Sequence, residues 1–549
     1  MTRWGYFPTL MNNQSKGHSP LHRGFQTRQQ LNDEGGTMHL GELVANAAAR
    51  MPNKTAIIFR DQATTYSELD QRVNQVANGL LTLGIKKGDR VGLFLHNLPL
   101  FIEAYYGVQR IGATVVPLNP LYKPAEVAFI LNDCQAKAVV TIGMFYPVIA
   151  AARAEIPSLQ HVVVAAPETP EGALAWRTTF GNAPAIIPPV ANFTPDDVAV
   201  ICYTSGTTGR PKGAMLTHRN FITNCTQMNS SQRIGLNAND VVWVGLPLFH
   251  IYAMNVAMNL SISVNVPMVL MERFDAAAAM EMIAKHHVTA VHGAPPMYIA
   301  FANLPNLKSY DLSALRYCGS GAAALPVQVL ENFKAASGVD INEGYGLTEA
   351  APTITSNAAG PVSKPGSVGP VVPGVEVRLI DPVTGVDVPV GQVGELIARG
   401  ANIMAGYYNR PDATAETLQD GWLHTGDLAT VDTDGYYYIV DRLKDMIVVS
   451  GYNVYPREVE ELLFRHPSVA EAAVVQVPDS YQGESVFAFV VLKPGTTATE
   501  AEIIEYCRAN IAVFKAPKRV AFKDALPKNN TGKVLHRELR DEAAKIVAV

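Results

Sequence analysis

The stretch Tyr203-Thr204-Ser205-Gly206-Thr207-Thr208-Gly209-Arg210-Pro211-Lys212-Gly213 follows directly on the apolar run Val198 to Cys202. Its three glycines, four aliphatic hydroxyls and two cations crowd into eleven residues. Glycines let a backbone turn sharply and present its N–H groups, hydroxyls donate to phosphate oxygens, and a lysine neutralises charge. A buried strand running into such a loop is an anion cradle. It is not a Walker A loop, because Pro211 stands where GxxxxGK needs glycine.

Outward from this loop the chain reads as layered α/β architecture, with short apolar runs alternating with amphipathic helices to about residue 360. Ser67-Glu68-Leu69-Asp70 reads as a capping box, followed by Val73, Val76, Ala77, Leu80 and Leu81 at helical spacing. Val91 to Leu95 is expected to be a buried strand. Between Val241 and Met271 there is no Asp, Glu, Lys or Arg. Pro247, His250, Asn255, Asn259, Asn265 and Pro267 interrupt that run, so it reads as buried strands and helix beside a pocket rather than a membrane span. From Gly374 short strands separated by turns dominate, among them Val375 to Ile380 and Gly394 to Ala398, which suggests a smaller β subdomain. After Asp441 the pattern changes to a compact α+β domain, with a helix from Pro456 to Arg465 and strands from Ala472 to Val477 and Val486 to Leu492. The expected division is a leader at 1–37, a large N-terminal domain at 38–441, and a mobile C-terminal domain at 442–549.

The 549 residues suggest three or four domain-sized units, which excludes a peptide module. Charged residues are only 17% against a typical quarter, leaving little material for extended disorder beyond the leader. A net charge of −5 without a polybasic run gives nucleic acid no general field to follow, so any anion must be met by a local site. The five cysteines are dispersed and lack metal or redox spacing, which points to buried free thiols in a reducing compartment, here the cytoplasm. Residues 1–37 have no apolar period and no signal-peptide core. Arg3, Lys16, Arg23 and Arg28 precede the first acids, Asp33 and Glu34, as in an organellar transit peptide. A third reading is that Glu34 to Met38 could be encoded by GAA GGA GGN ACN ATG, a ribosome-binding tract ahead of a second start codon.

The opening loop resembles the phosphate-binding signature of the acyl-adenylate-forming superfamily, which includes acyl-CoA synthetases, 4-coumarate:CoA ligase, firefly luciferase and peptide-synthetase adenylation domains. Leu246-Pro247-Leu248-Phe249-His250, Gly344-Tyr345-Gly346-Leu347-Thr348-Glu349, Gly421 to Asp427, Asp441-Arg442-Leu443-Lys444-Asp445 and Asn530-Thr531-Gly532-Lys533 follow in the superfamily's order. The likeness spans about residues 38 to 540.

The resemblance implies a reaction in two half-steps. A carboxylate attacks the α-phosphate of ATP to give acyl-AMP and pyrophosphate, and coenzyme A then takes the acyl group and releases AMP. Anion meets anion in the first step, so cations and donors must gather where charge builds up. On this likeness Thr204, Ser205, Gly206, Thr207, Thr208, Gly209 and Lys212 would hold phosphates. Glu349 would hold Mg²⁺, with Thr348 beside it. Tyr345, with Gly346 after it, would stack on adenine, and the small residues around Gly321 and Ala322 would let backbone approach the base and the acyl group. Asp427 and Arg442 would hold the ribose. His250 would gate the acyl site, with Phe249, Tyr252, Met254 and the stretch around His292 to Met297 lining it. Lys533 would serve the first step only. Rotation about Lys444 would then exchange it for Ser450, Gly451 and Tyr452, the face expected to meet the pantetheine arm of coenzyme A.

The string from Asp441 to Glu458 looks like bacterial medium- and long-chain fatty acyl-CoA ligases, whereas Leu248 to Tyr252 also resembles plant 4-coumarate:CoA ligases. A fatty acid is the favoured substrate, an aryl acid the alternative. A stand-alone adenylating partner of a carrier protein is a third reading. A non-catalytic sensor on the same fold is disfavoured by retention of Lys533, Glu349 and Asp427 together. The expected partners are therefore small molecules, with no nucleic acid and no transmembrane segment; peripheral membrane contact is compatible with the sequence.

Overall fold

The computed structural model describes residues 39–188, 193–204, 211–479, 481–528 and 533–547. The readings of residues 1–37, of Ser205 to Gly209 and of Asn530 to Gly532 fall outside the described residues. The fold is α/β, with a large N-terminal part built on two eight-stranded sheets, a five-stranded β subdomain, and a small C-terminal α+β domain.

The first large sheet runs, edge to edge, through Thr353–Ser356, Ile341–Gly346, Tyr317–Ser320, Ala290–Gly293, Val242–Val244, Met268–Leu270, Thr55–Phe59 and Gln62–Thr65. The second runs through Gly406–Tyr407, Lys212–Thr217, Val198–Thr204, Thr114–Pro117, Arg90–Phe94, Ala138–Ile142, His161–Ala165 and Leu174–Ala175. In the first sheet the inner strands pair parallel and both edge pairs antiparallel; in the second, Gly406–Tyr407, Lys212–Thr217 and Val198–Thr204 pair antiparallel and the remaining strands parallel. Parallel strands covered on both faces must be apolar throughout, which is why Val242–Val244 and Met268–Leu270 are wholly buried. The charge-free segment is therefore core, and among the described residues no helix is long and apolar enough to cross a membrane.

One helix start differs from the sequence reading. The helix is Tyr66–Thr82, and its cap is Thr65 rather than Ser67: the Thr65 hydroxyl accepts from Glu68 N–H while the Glu68 carboxylate takes Thr65 N–H at 2.8 Å. The strand Gln62–Thr65 ends extended at Thr65, and Tyr66 must enter the first turn to bury its ring, so Ser67 is already helical. Val73, Val76, Ala77 and Leu80 face the core as expected, but Leu81 turns outward and is 37% exposed.

The β subdomain orders Val375–Ile380, Gly394–Gly400, Trp422–Val431 and Leu418–Gln419, with Tyr437–Arg442 also pairing Trp422–Val431. In the C-terminal domain Val469–Asp479 and Gly483–Leu492 form a long antiparallel pair, and Arg519–Phe522 adds parallel to the latter. The helix Pro456–Phe464 buries Val459, Leu462 and Leu463 against that sheet. All five cysteines are buried free thiols.

Candidate active site

Antiparallel register places Asp427 of Trp422–Val431 opposite Arg442 of Tyr437–Arg442. The Asp427 carboxylate, 6% exposed, accepts from the Tyr345 hydroxyl at 2.6 Å and pairs with Arg442 Nε at 3.3 Å. Burial, and then the charge of Asp427, push the Tyr345 phenol well above its usual range, so it stays protonated and donates. Tyr345 belongs to the edge of the first large sheet, where Gly346 lets backbone cross backbone: a Cβ there would lie 1.9 Å from the Pro352 carbonyl oxygen. Two separate sheet pairings thus fix the Tyr345–Asp427–Arg442 cluster.

A second cluster sits at the mouth of the anion loop. Thr204 and Lys212 end the two strands that flank it, paired with one another in register. Glu349 lies 8% exposed in the short turn Thr348–Ala350, accepting from the Tyr407 hydroxyl at 2.7 Å. Lys212 Nζ stands 5.3 Å from the Tyr407 ring centroid. The segment carrying Tyr407 is stitched to both sides, Met404 N–H donating to the Glu349 carbonyl and Tyr408 N–H to that of Gly213. Glu349 and Lys212 therefore share one hydrogen-bonded frame.

Lys533 joins the first cluster from the C-terminal domain. Burial pushes its ammonium down to about 8, and the neighbouring Arg442 and Lys444 push the same way, while Asp427 and Asp445 oppose them. Asp445 is itself anchored by Arg540 at 2.8 Å. Lys444 is also shifted down, first by burial and then by Arg442. Tyr345, Asp427, Arg442, Lys444 and Lys533 are thus brought together. Ser450, Gly451 and Tyr452 are not. Ser450 and Gly451, at φ 52° and 83°, form the two-residue turn between Ile447–Val449 and Tyr452–Val454, the double left-handed geometry that closes a tight hairpin. Tyr452 is 62% exposed and rests on Phe514.

His250 follows a clamped loop. Asn97 clamps the approach to it, donating to the Leu246 carbonyl at 2.8 Å and accepting from Leu248 N–H at 2.7 Å. The His250 Nδ1 accepts from Tyr252 N–H at 3.3 Å, and burial holds the ring down at about 4, so it is neutral near pH 7. The chain then enters a π-helical turn, Ala253–Asn259, a form that often marks functional sites. Asn255 within it donates to the carbonyls of Ala351 at 2.7 Å and Phe221 at 3.2 Å, tying this turn to the Glu349 segment. Met254 is wholly buried, whereas Phe249 and Tyr252 are only partly so.

Tyr407, Asn97 and Arg540 escaped the sequence reading, which named Asn255 and Asp445 but gave neither of them a contact. Tyr407 lies on a strand of two residues, too short for any period. The two asparagines act on backbone distant in sequence. Among the described residues there is no cluster of three or more His, Cys, Asp or Glu side chains able to hold a metal, so Glu349 would be a lone carboxylate ligand. That fits Mg²⁺, which keeps waters and binds through one or two carboxylates plus substrate phosphates.

Comparison with known proteins gives the class of enzyme to which this arrangement belongs. Residues 44–408 match the AMP-binding enzyme family and residues 458–533 the AMP-binding enzyme C-terminal domain. The chain is 37% identical over 528 residues to a long-chain-fatty-acid–CoA ligase of Bacillus subtilis (strain 168), covering 92% of this chain and 94% of that one. It is 38% identical over 494 residues to 4-coumarate–CoA ligase 1 of Solanum tuberosum, covering 88% and 90%. The crystal structure of the anthranilate CoA ligase AuaEII in complex with anthranoyl-AMP superposes with a TM-score of 0.87 at 32% identity, over 93% of this chain and 98% of that one. The chain belongs to the AMP-binding enzyme family. It is an AMP-forming acyl-CoA ligase, using a carboxylic acid, ATP and coenzyme A.

Proposed function

We propose that this ligase activates a medium- or long-chain fatty acid in the cytoplasm, and that Lys533 drives the first half-reaction. The observation that carries the second part is the junction of Lys533 with Asp427 and Arg442. In this reading Asp427 and Arg442 hold the ribose, Tyr345 stacks on adenine beside Gly321 and Ala322, and the loop from Thr204 to Lys212 cradles the phosphates. Glu349, with Thr348 beside it, would hold Mg²⁺, which neutralises phosphate charge when bound. The Lys533 ammonium bridges the attacking carboxylate and the α-phosphate as the new P–O bond forms and the bond to pyrophosphate breaks. His250, neutral and beside the carboxylate, gates the acyl site.

The C-terminal domain, taken as 442–549, then rotates about Lys444 to withdraw Lys533 and bring Ser450, Gly451 and Tyr452 to the pantetheine arm. The present arrangement supports this: Lys533 lies with Asp427 while Tyr452 stands exposed elsewhere on the same domain. The fatty-acid reading leans on the long-chain ligase of Bacillus subtilis. An aryl acid is a second reading, favoured by the rings of Tyr252, His292 and Tyr317 grouped behind His250.

Pyrophosphate release measured with a panel of alkyl and aryl acids, with and without coenzyme A, tests the substrate. Release with decanoate or hexadecanoate above that with cinnamate or benzoate supports the fatty acid, and the reverse order replaces it. In the same assay His250→Ala should raise KM for the acid about tenfold with little change for ATP. A change confined to ATP would take His250 out of the acyl site.

A further inference from the structure

The strand Ala290–Gly293 lies between Val242–Val244 and Tyr317–Ser320, with His292 in register with Val244 on one side and Gly319 on the other. Register partners project to one face, so His292, Tyr317 and Gly319 share a face. Tyr252, two residues after His250, lays its ring edge-on against His292, with centroids 6.1 Å apart, and Tyr317 lies 5.6 Å away on the other side. A Cβ on Gly319 would come 3.3 Å from His292 Nδ1, and one on Gly321 would come 3.4 Å from the Tyr252 ring. The absence of side chains at these two positions is what lets the rings pack this closely, since a Cβ on Gly319 would also come 2.9 Å from the Tyr317 hydroxyl.

His292 is 1% exposed, and among the described residues neither Nδ1 nor Nε2 has a hydrogen-bond partner. A buried polar group left unpaired is costly, and a leucine or phenylalanine would fill this position without that cost. Nothing inside the fold repays it. Burial holds the imidazole down at about 4, so near pH 7 it is neutral and offers one donor and one acceptor. A hydroxyl group, itself one donor and an acceptor, is the complement of that pair.

On the reading of the acyl site given above, we propose that His292 is a specificity-determining residue that takes a hydroxyl group carried by the acid. The substrate class is then a hydroxylated carboxylic acid, on an alkyl chain or on an aryl ring.

The test is kcat/KM for pyrophosphate release with matched acids: decanoate against its positional hydroxydecanoates, and cinnamate against 4-coumarate. It is run on the full chain as wild type, His292→Leu and His292→Gln. In the wild type one hydroxylated acid should exceed its parent by about tenfold or more, because a site built to pair a hydroxyl discriminates against the analogue lacking it. His292→Leu should collapse that ratio toward one, and His292→Gln, which keeps a donor and an acceptor, should restore part of it. Whether the alkyl or the aryl pair shows the preference identifies the source of the hydroxyl. Equal ratios in wild type and His292→Leu would mean that the imidazole meets only a bound water, and would overturn the proposal. If His292→Leu does not fold, absence of any hydroxyl preference in the wild type overturns it equally. Release with no acid at all would instead break the proposed function, an outcome distinct from turnover of parent acids without preference.

Discussion

Asp427 and Lys533 belong to one charge cluster, yet they are held by different means. Asp427 sits inside a β ladder, opposite Arg442 and under the Tyr345 hydroxyl, so its position is over-determined by sheet hydrogen bonds. Lys533 comes from the C-terminal domain, next to a stretch outside the described residues, and is related to the cleft by the charges of Arg442, Asp427, Asp445 and Lys444. A ladder persists through a cycle, whereas a charge cluster assembled from two domains can be taken apart. On the proposed reading the two residues serve different parts of the reaction: Asp427 would hold the nucleotide throughout, and Lys533 would supply its ammonium for one step.

The most severe way to break this comparison is Lys533→Ala. Losing a preorganised donor to a transition state costs about 10²–10³ in rate. Acyl-AMP formation should fall by that amount, while supplied acyl-AMP and coenzyme A are still converted at close to the wild-type rate. Equal losses in both half-reactions of a folded variant would show that Lys533 supports structure or that the domain does not rotate.

Asp427→Asn should behave in the opposite manner. It keeps the shape but weakens a charge-assisted hydrogen bond, a loss of roughly 10–100-fold. Because AMP is carried through both half-reactions, both should fall, including the one started from acyl-AMP. A loss restricted to adenylation would place Asp427 with Lys533 on the exchangeable side.

The pH profile sharpens the contrast further. On the proposed reading the lysine works as an ammonium, and its pKa is pushed down to about 8, chiefly by burial. Protonation is therefore complete well below that value and is lost as pH rises through it. The kcat/KM for adenylation should fall about tenfold between pH 7 and pH 9, with no such falling limb when acyl-AMP is supplied. A flat adenylation profile over that range would mean that the proton on Lys533 is not required.

These two sides were not equally legible in the sequence. The ladder was: Val375–Ile380 was read to the residue, and Trp422–Val431 carries a recognisable motif, because alternation and turn residues are local signals. The cap of Tyr66–Thr82 was misread, since Thr65-x-x-Glu68 and Ser67-x-x-Asp70 have the same pattern. Only the strand ending at Thr65 and the buried ring of Tyr66 choose between them. The charge-free segment announced burial but not the π-helical turn, which depends on Asn255 reaching the distant Ala351 carbonyl. Lys533 could be named only through a motif. Its depressed pKa is a product of tertiary assembly, because four of the charges acting on it lie 88 to 106 residues away in the chain, from Asp445 to Asp427.

The smallest expected effect separates two roles within the fixed side itself. Tyr345 meets Asp427 through its hydroxyl, and by the proposed reading meets adenine through its ring. Tyr345→Phe removes the first and keeps the second. A typical intramolecular hydrogen bond contributes about 0.5–1.5 kcal/mol net, which corresponds to a change of roughly two- to tenfold. The Arg442 contact at 3.3 Å still holds the carboxylate, and the Thr425 hydroxyl, which accepts from Asp427 N–H, still holds its backbone, so the effect should lie at the low end of that range. KM for ATP should rise by a small factor, with the ratio of the two half-reaction rates unchanged. A larger loss than that of Asp427→Asn would mean that the hydroxyl, and not the ladder, positions the ribose carboxylate. The distinction between a side fixed by strands and a side fixed by charges would then no longer hold.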